Sequence, residues 1–260
     1  MEINKRWSSL TLSLTHCIEH VSNYDHDKYL ALMTCDDKLK KIMFPIYAFN
    51  IEISRIPWIT HDKMIAEMRL QWWYNLLSSM EENSFVEKHP IAEALNEHLS
   101  NNKSAIKLLK ETVKARNWDI YSEHHESELD LWKYIEHTSS NLLMSCLGFV
   151  PSINSYGQGI GMASYLMAVS NLVKFGKNPL PNCNDEAIHD LSLKAVEGLR
   201  KGRDNNLDKH VTAGLRLGWM APIILKRIIK EPRLVITGRL QSSEFRKKLR
   251  LLKLTLLNSY

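Results

Sequence analysis

Apolar residues along this 260-residue chain recur at intervals of three and four, the spacing that gathers them on one face of a helix, and alternating strand-like runs are scarce. The N-terminal stretch MEINKRWSSLTLSLTHCIEH reads as an amphipathic first helix. Met43 to Leu77 reads as two apolar helices joined by a turn, with Thr60 able to cap the second. In that second helix Ile65, Met68, Trp72, Leu76 and Met80 form a stripe that Trp73 and Leu77 widen. Arg69 borders it, and Glu67, Gln71 and Ser78 fall on the other side. Asn83-Ser84 breaks the pattern, Pro90 opens a shorter helix through Leu99, and Ser100-Asn101-Asn102 separates it from Lys103–Asn117. Glu128–Leu147 carries Leu131, Ile135, Leu142 and Cys146 on one face. Pro151 to Gly161 is rich in Gly and Ser and reads as a connection into a helix ending near Phe175. Gly176–Asp185 reads as a loop, and Glu186–Leu199 and Ala213–Lys230 resume the helical period. No repeat and no dividing linker is visible, so residues 1–260 are expected to form one all-α domain.

The stretch from Phe44 to Trp58 holds a single acid, Glu52, on a segment otherwise suited to burial. YAFNIE followed by MRLQWW resembles the squalene/phytoene synthase superfamily, whose prenyl-transferring members read close to ALYAFCRxxDDIVD here. Laid over that pattern, Ala48 and Phe49 match, Asn50 stands for the Cys and Ile51 for the Arg. Ser54, Arg55 and Trp58 fall where three aspartates belong. The family's later motif, close to QLTNILRDVxED and followed by YLP, meets YLMAVSNLVKFGKNPLP from Tyr165 to Pro181. Asn171 matches, Lys174 replaces the Arg, Phe175 replaces the first Asp, and Leu180-Pro181 fits the end. No acid occurs between Ser164 and Pro181.

The resemblance implies an isoprenoid-synthase-like helical bundle with both sets of metal-binding acids gone. Ionising an allylic diphosphate means stabilising a departing group of several negative charges, which carboxylate-held Mg²⁺ does and Ser, Arg, Trp and Phe do not. The pattern is closest to a divergent branch that includes an assembly factor of mitochondrial respiratory complex I and its bacterial relatives. The expected role is therefore non-catalytic, with complex I subunits or assembly intermediates as partners. A relict cavity lined by Asn50, Glu52, Arg55, Arg69, Trp73, Asn171 and Lys174 would hold a lipid or a partner's helix. No metal or other cofactor is expected. The enzyme alternative is head-to-head condensation of two prenyl diphosphates, which needs Mg²⁺ and other acids such as Asp119 and Glu123. A third reading is a peripheral lipid-binding protein.

Composition changes this picture little. Hydrophobic residues make up 44%, charged residues 24%, and the net charge of +5 is too small to imply nucleic acid. No apolar run reaches the roughly 18 residues of a membrane span, and the N-terminus is too polar for a secretory signal. A cytoplasmic location follows, with a peripheral place at the inner membrane face as an option. Cys17, Cys35, Cys146 and Cys183 match no zinc or redox spacing and suggest buried thiols in a reducing compartment. His16 and His20 read as a surface or core coincidence, His124-His125 as a polar loop, and Asp204…Asp208 as a solvated helix end or loop. Gly157, Gly159 and Gly161 lack the strand and the Lys-Ser/Thr of a phosphate loop. Thr138 to Asn141 is a run of small polar residues, suited either to close helix packing or to a pocket wall. The C-terminal helix sets Leu249, Leu252 and Leu256 beside Arg246, Lys247, Lys248, Arg250 and Lys253. That pattern fits anionic lipid or an acidic partner, or a bundle helix with a solvated basic face.

Overall fold

The computed structural model describes residues 12–60, 62–121, 124–203, 207–240, 244–257 and 259–260, without the side chains of 244–246. Its helices are α1 (Leu12–Tyr24), α2 (His26–Met33), α3 (Asp37–Ile59), α4 (Lys63–Glu81), α5 (Pro90–Leu99), α6 (Lys103–Ala115) and α7 (Asn117–Tyr121). Next, α8 (Glu128–Ile135) runs through a π turn (Glu136–Ser140) into α9 (Asn141–Leu147). Beyond these lie α10 (Pro151–Lys174), α11 (Asp185–Lys201), α12 (Lys209–Leu215), α13 (Ala221–Lys230), α14 (Leu234–Thr237) and α15 (Glu244–Leu256). Among the described residues the sole strand-like feature is an isolated bridge between His124 and Asn178. The expected all-α architecture is what the chain adopts. None of the helices is long and apolar enough, among the described residues, to cross a membrane.

Side chains start the helices by accepting the orphan N–H groups of their first turns. Asp36 accepts from Leu39 N–H at 2.9 Å, Asn102 from Ala105 N–H at 3.1 Å, and Asn184 from Ala187 N–H at 2.7 Å. Asp62, not Thr60, caps α4, accepting from the N–H groups of Met64 and Ile65; Thr60 sits in extended backbone as the C-cap of α3.

Two layers are joined through α9, which packs on α3 and α6 on one side and on α10 on the other. The first helix α1 packs on α3 and α5, and α4 packs on α3 and α6. On the other side α10 lies against α8, the π turn, α9, α11 and α13. Phe44, Ile46, Phe49, Ile53, Leu70, Leu77 and Leu166 belong to one continuous buried cluster.

Pro151 to Gly161 is helical, where the sequence suggested a connection. Pro151 occupies the first turn of α10, where its missing N–H costs nothing. The glycines are there for close approach. A Cβ on Gly157 would lie 2.6 Å from Ser140 Cα, and one on Gly161 would lie 2.5 Å from Ser139 Cβ. The Gly/Ser composition is thus a packing face between α10 and the π turn, and the small residues at Ser139 and Ser140 are its counterpart.

The buried face of α4 is also rotated from the expected stripe. Ala66, Leu70, Trp73, Leu76, Leu77 and Met80 are buried, whereas Ile65, Met68 and Trp72 are exposed. Both ridges have helical spacing; the buried one wins because it sets Trp73 edge-on against Phe49 of α3, with ring centroids 5.2 Å apart. The stretch Ala213–Lys230 is not one helix: a 3-10 turn at Arg216–Gly218 divides it. Of the four cysteines, all free, Cys17 and Cys35 are buried, Cys146 is partly so and Cys183 is exposed. Burial pushes the Cys17 thiol up to about 12 and Cys35 to about 11, which makes both unreactive.

Gly161→Ala must displace Ser139 and Ile135, so the variant is expected to lose about 1–3 kcal/mol of stability, an overpacking penalty read as a lower urea midpoint at unchanged slope.

Candidate functional site

A cavity of about 360 Å³ lies where α3, α8, the π turn and α10 converge. Its apolar end is formed by Tyr47, Leu142, Leu143, Ile160 and Leu217. Its polar wall is built by four side chains from four elements. Arg116, which caps α6, donates to Asp119 Oδ2 at 3.1 Å and to Tyr134 Oη at 2.9 Å through one nitrogen. Its other terminal nitrogen donates to Asn50 Oδ1 of α3 at 3.2 Å. Tyr134 of α8 donates in turn to Asp119 Oδ1 at 2.7 Å. Both Asp119 oxygens are therefore occupied. Burial drives the Tyr134 phenol far above its usual range, so it acts as a hydroxyl that donates and accepts and never as a phenolate.

The π turn supplies the third wall. Thr138 and Ser139 line the cavity, but their hydroxyls are spent on backbone: Thr138 Oγ1 donates to Tyr134 O at 2.8 Å and Ser139 Oγ to Gly157 O at 2.9 Å. The small polar run serves packing and pocket wall together. Such π insertions are concentrated at functional sites.

Behind the polar wall, the ring of His125 lies flat on Trp118, centroids 4.1 Å apart and tilted by 2°. Its Nε2 is 3.0 Å from Tyr165 Oη, which donates to the carbonyl of Pro179 at 2.9 Å. With that hydroxyl hydrogen committed, His125 must carry its proton on Nε2 and donate to Tyr165. Burial lowers His125 to about 4, so the ring is neutral near pH 7. The sequence pointed to a polar loop at His124-His125; the structure buries the second of the pair against Tyr165, whose hydroxyl ties the loop at Pro179 to the site.

The two motif regions come together at the mouth. Ser54, Arg55 and Trp58 line the cavity from α3. Phe175, the C-cap of α10, lies against Trp58, ring centroids 4.9 Å apart at 48°. These side chains do not fit Mg²⁺. Ser54 Oγ donates to Ile51 O, the Arg55 guanidinium sits 3.8 Å from the centre of the Tyr24 ring, and Trp58 and Phe175 offer no ligand oxygen. No group of three or more His, Cys, Asp or Glu side chains among the described residues could hold a metal.

Of the residues the sequence singled out, Asn50, Arg55 and Asp119 are at the cavity. Glu52 is turned away from it and pairs with His20 at 3.0 Å, which holds its carboxyl below the usual range. Arg69 is on the exposed face of α4, and Trp73, 3% exposed, is core. Asn171 and Lys174 are exposed on α10, because the face that meets the cavity runs through Gly157, Gly161, Tyr165 and Ala168. Glu123 and Asp204 lie outside the described residues. Arg116, Tyr134 and Tyr165 were not singled out. The one signal for them was ARNWD, an Arg three residues before an Asp on an otherwise apolar stretch. On α15, Lys247 pairs with Asp27 at 3.0 Å, Arg250 donates to Trp219 O at 2.8 Å, and Lys248 and Lys253 are exposed; the Arg246 side chain is outside the described set.

A model of the squalene/phytoene synthase family matches residues 21–156. The chain is similar to the complex I assembly factor 6 homolog of Drosophila melanogaster, 29% identical over 167 residues, covering 59% of this chain and 50% of that protein. It is also similar to complex I assembly factor 6 of Homo sapiens, 23% identical over 128 residues, covering 49% of this chain and 38% of that protein. The match thus spans half or less of these curated relatives. Among solved structures, a dehydrosqualene synthase with a bound ligand superposes with a TM-score of 0.76 at 14% identity, over 95% of this chain and 97% of that one. A squalene synthase from Alicyclobacillus acidocaldarius superposes at 0.57 with 12% identity, over 95% and 94%. The fold is that of the isoprenoid synthases.

Because His125 resists protonation when folded, its stabilising effect is complete above its unfolded value of 6.5 and is lost as pH falls toward about 4. Between pH 7 and 4.5 this amounts to about 2 kcal/mol. Urea titrations over that range are expected to show this slope in the native chain and a flatter one in His125→Gln.

Proposed function

The chain belongs to the squalene/phytoene synthase family, and we propose that it is a non-catalytic member that acts by binding, in the assembly of respiratory complex I. The observation that carries this is the carboxylate-free mouth. At the positions where the sequence pattern would set aspartates stand Ser54, Arg55, Trp58 and Phe175, and the cavity's Asp119 is sealed by Arg116 and Tyr134. A diphosphate leaving group needs divalent cations held by hard, free oxygens, and this wall has none to spare. What remains is an apolar chamber with a rigid, internally neutralised polar wall, suited to a lipid chain or an inserted apolar segment of a partner. The similar curated proteins are named as complex I assembly factors, which supports the role at the level of the whole protein.

A peripheral membrane position accompanies this reading, favoured by one feature. On α15, Leu251 is buried and Lys247 and Arg250 anchor the helix to the bundle, yet Leu249, Leu252 and Leu256 are 57%, 55% and 76% exposed beside Lys248 and Lys253. Exposed leucines flanked by lysines match an anionic bilayer surface.

Three measurements test these readings. Incubated with farnesyl diphosphate and Mg²⁺, the chain is expected to release no diphosphate, while its loss from the host should lower assembled complex I; turnover in the first assay would sink the non-catalytic assignment. In flotation assays the chain should bind phosphatidylglycerol-containing vesicles and not pure phosphatidylcholine ones, with weakening at high salt. Lys248→Glu with Lys253→Glu should weaken binding about tenfold or more, since each surface lysine contributes about 1 kcal/mol.

A further inference from the structure

Trp58 and Phe175 come from the ends of two different helices, α3 and α10, and each stands where the sequence pattern would put an acid. They touch each other, with centroids 4.9 Å apart. Both are partly solvent-exposed, at 40% and 68%. Trp58 and Asp119 line two spaces at once: the inner cavity, and a depression of about 200 Å³ that Pro57, Thr60, Lys63, Phe175 and Lys177 also bound. The half-exposed indole stands between the two spaces, and Phe175, which bounds the outer one alone, lies against it.

The cations that line the inner cavity are already engaged, and Lys63, outside it, is exposed to solvent. Lys28 pairs with Asp25, and Arg55 lies over Tyr24. Lys177 donates to Asp119 O at 3.0 Å and sits over the Trp118 ring. Arg116 is held by Asp119, Tyr134 and Asn50. A multiply charged headgroup would have to displace these contacts and would leave charge in a low-dielectric chamber. An uncharged chain would meet aromatic faces at the mouth and aliphatic side chains at the far end.

We propose that Trp58 and Phe175 form an aromatic clasp in the place of a metal clamp, closing the cavity over an uncharged apolar chain that binds without metal. The proposal rests on the binding role assigned above and narrows it to a ligand class and a gate. An aromatic pair is worth about 0.5–1.5 kcal/mol beyond its area. That is strong enough to favour the closed mouth and weak enough to let it open by side-chain rotation alone.

The test uses the full chain and two probes with one hydrocarbon and different charge, farnesol and farnesyl diphosphate. Binding is measured by calorimetry in Mg²⁺ and in EDTA, and farnesol dissociation by stopped-flow chase. Farnesol is expected to bind equally in both buffers and more tightly than the diphosphate. Trp58→Ala and Phe175→Ala should each speed farnesol release about five- to tenfold, the loss of one aromatic pair with its ligand contact. Trp72→Ala, a change at an exposed tryptophan away from the mouth, should leave the rate unchanged. Both clasp residues are exposed enough for the variants to keep the native melting temperature, and Phe175→Ala keeps the test decisive if Trp58→Ala does not. An unchanged release rate in both clasp variants would overturn the gate while leaving the binding role intact. Mg²⁺-dependent preference for the diphosphate, or no farnesol binding at all, would overturn the ligand class. Diphosphate release, followed in the same samples, separates either failure from failure of the non-catalytic assignment.

Discussion

The Arg116–Asp119 pair is the contact on which the rest of this bundle depends. It joins the C-terminal end of α6 to α7, and through Tyr134 and Asn50 it reaches α8 and α3. A half-satisfied version would be worse than an apolar one, since removing a partner from a buried ion pair costs about 3–5 kcal/mol. Here both carboxylate oxygens accept and the two terminal guanidinium nitrogens donate to three acceptors, while the buried Arg116 Nε has no partner. The same closure removes Asp119 from chemistry. A side chain that on sequence grounds was a candidate metal ligand is, in the folded chain, a structural counter-ion.

That double role explains why the site could be read only in part from sequence. Helix type and most boundaries were legible because they rest on local signals: Pro90 and Leu99, or Glu128 and Leu147, bound the elements as capping and periodicity imply. The missing acids were legible too, as substitutions against a pattern. What was hidden depends on which way a helix is turned. Ile65-Met68-Trp72 and Ala66-Leu70-Trp73 have equal claim to the core until Phe49 is placed opposite. Asn171 matched the motif and Lys174 stood in for its Arg, yet one helical face separates them from the Gly157–Ala168 surface that meets the cavity. The glycines of α10 suggested a loop because their small size is explained by other elements distant in sequence, Ser140 for Gly157, Ser139 for Gly161 and Ala195 for Gly159, and not by their own backbone.

Loss of the motif acids and retention of a chamber are different events, and the chain shows both. Its polar wall is neutral as a unit, its hydroxyls are spent on backbone, and its mouth is aromatic. Each of these favours residence of an apolar guest over turnover of a charged one. Under the role proposed above, the exposed leucine–lysine face of α15 would set such a chamber near a bilayer, the source of an apolar guest.

The π turn gives this chamber an unusual dependence on chain length. The Asn141 N–H bonds to Glu136 O, five residues back, so the segment holds one residue more than a regular helix of the same span. Remove a single residue between 136 and 140 and the bulge closes to an ordinary turn, with α8 and α9 keeping nearly the same phase. Leu142 and Leu143 would stay in the wall, while the small residues inside the turn would lose their register with Gly157 and Gly161. The extra residue thus tunes one wall of the hollow without moving the helices that frame it, a local adjustment that a one-codon deletion would erase.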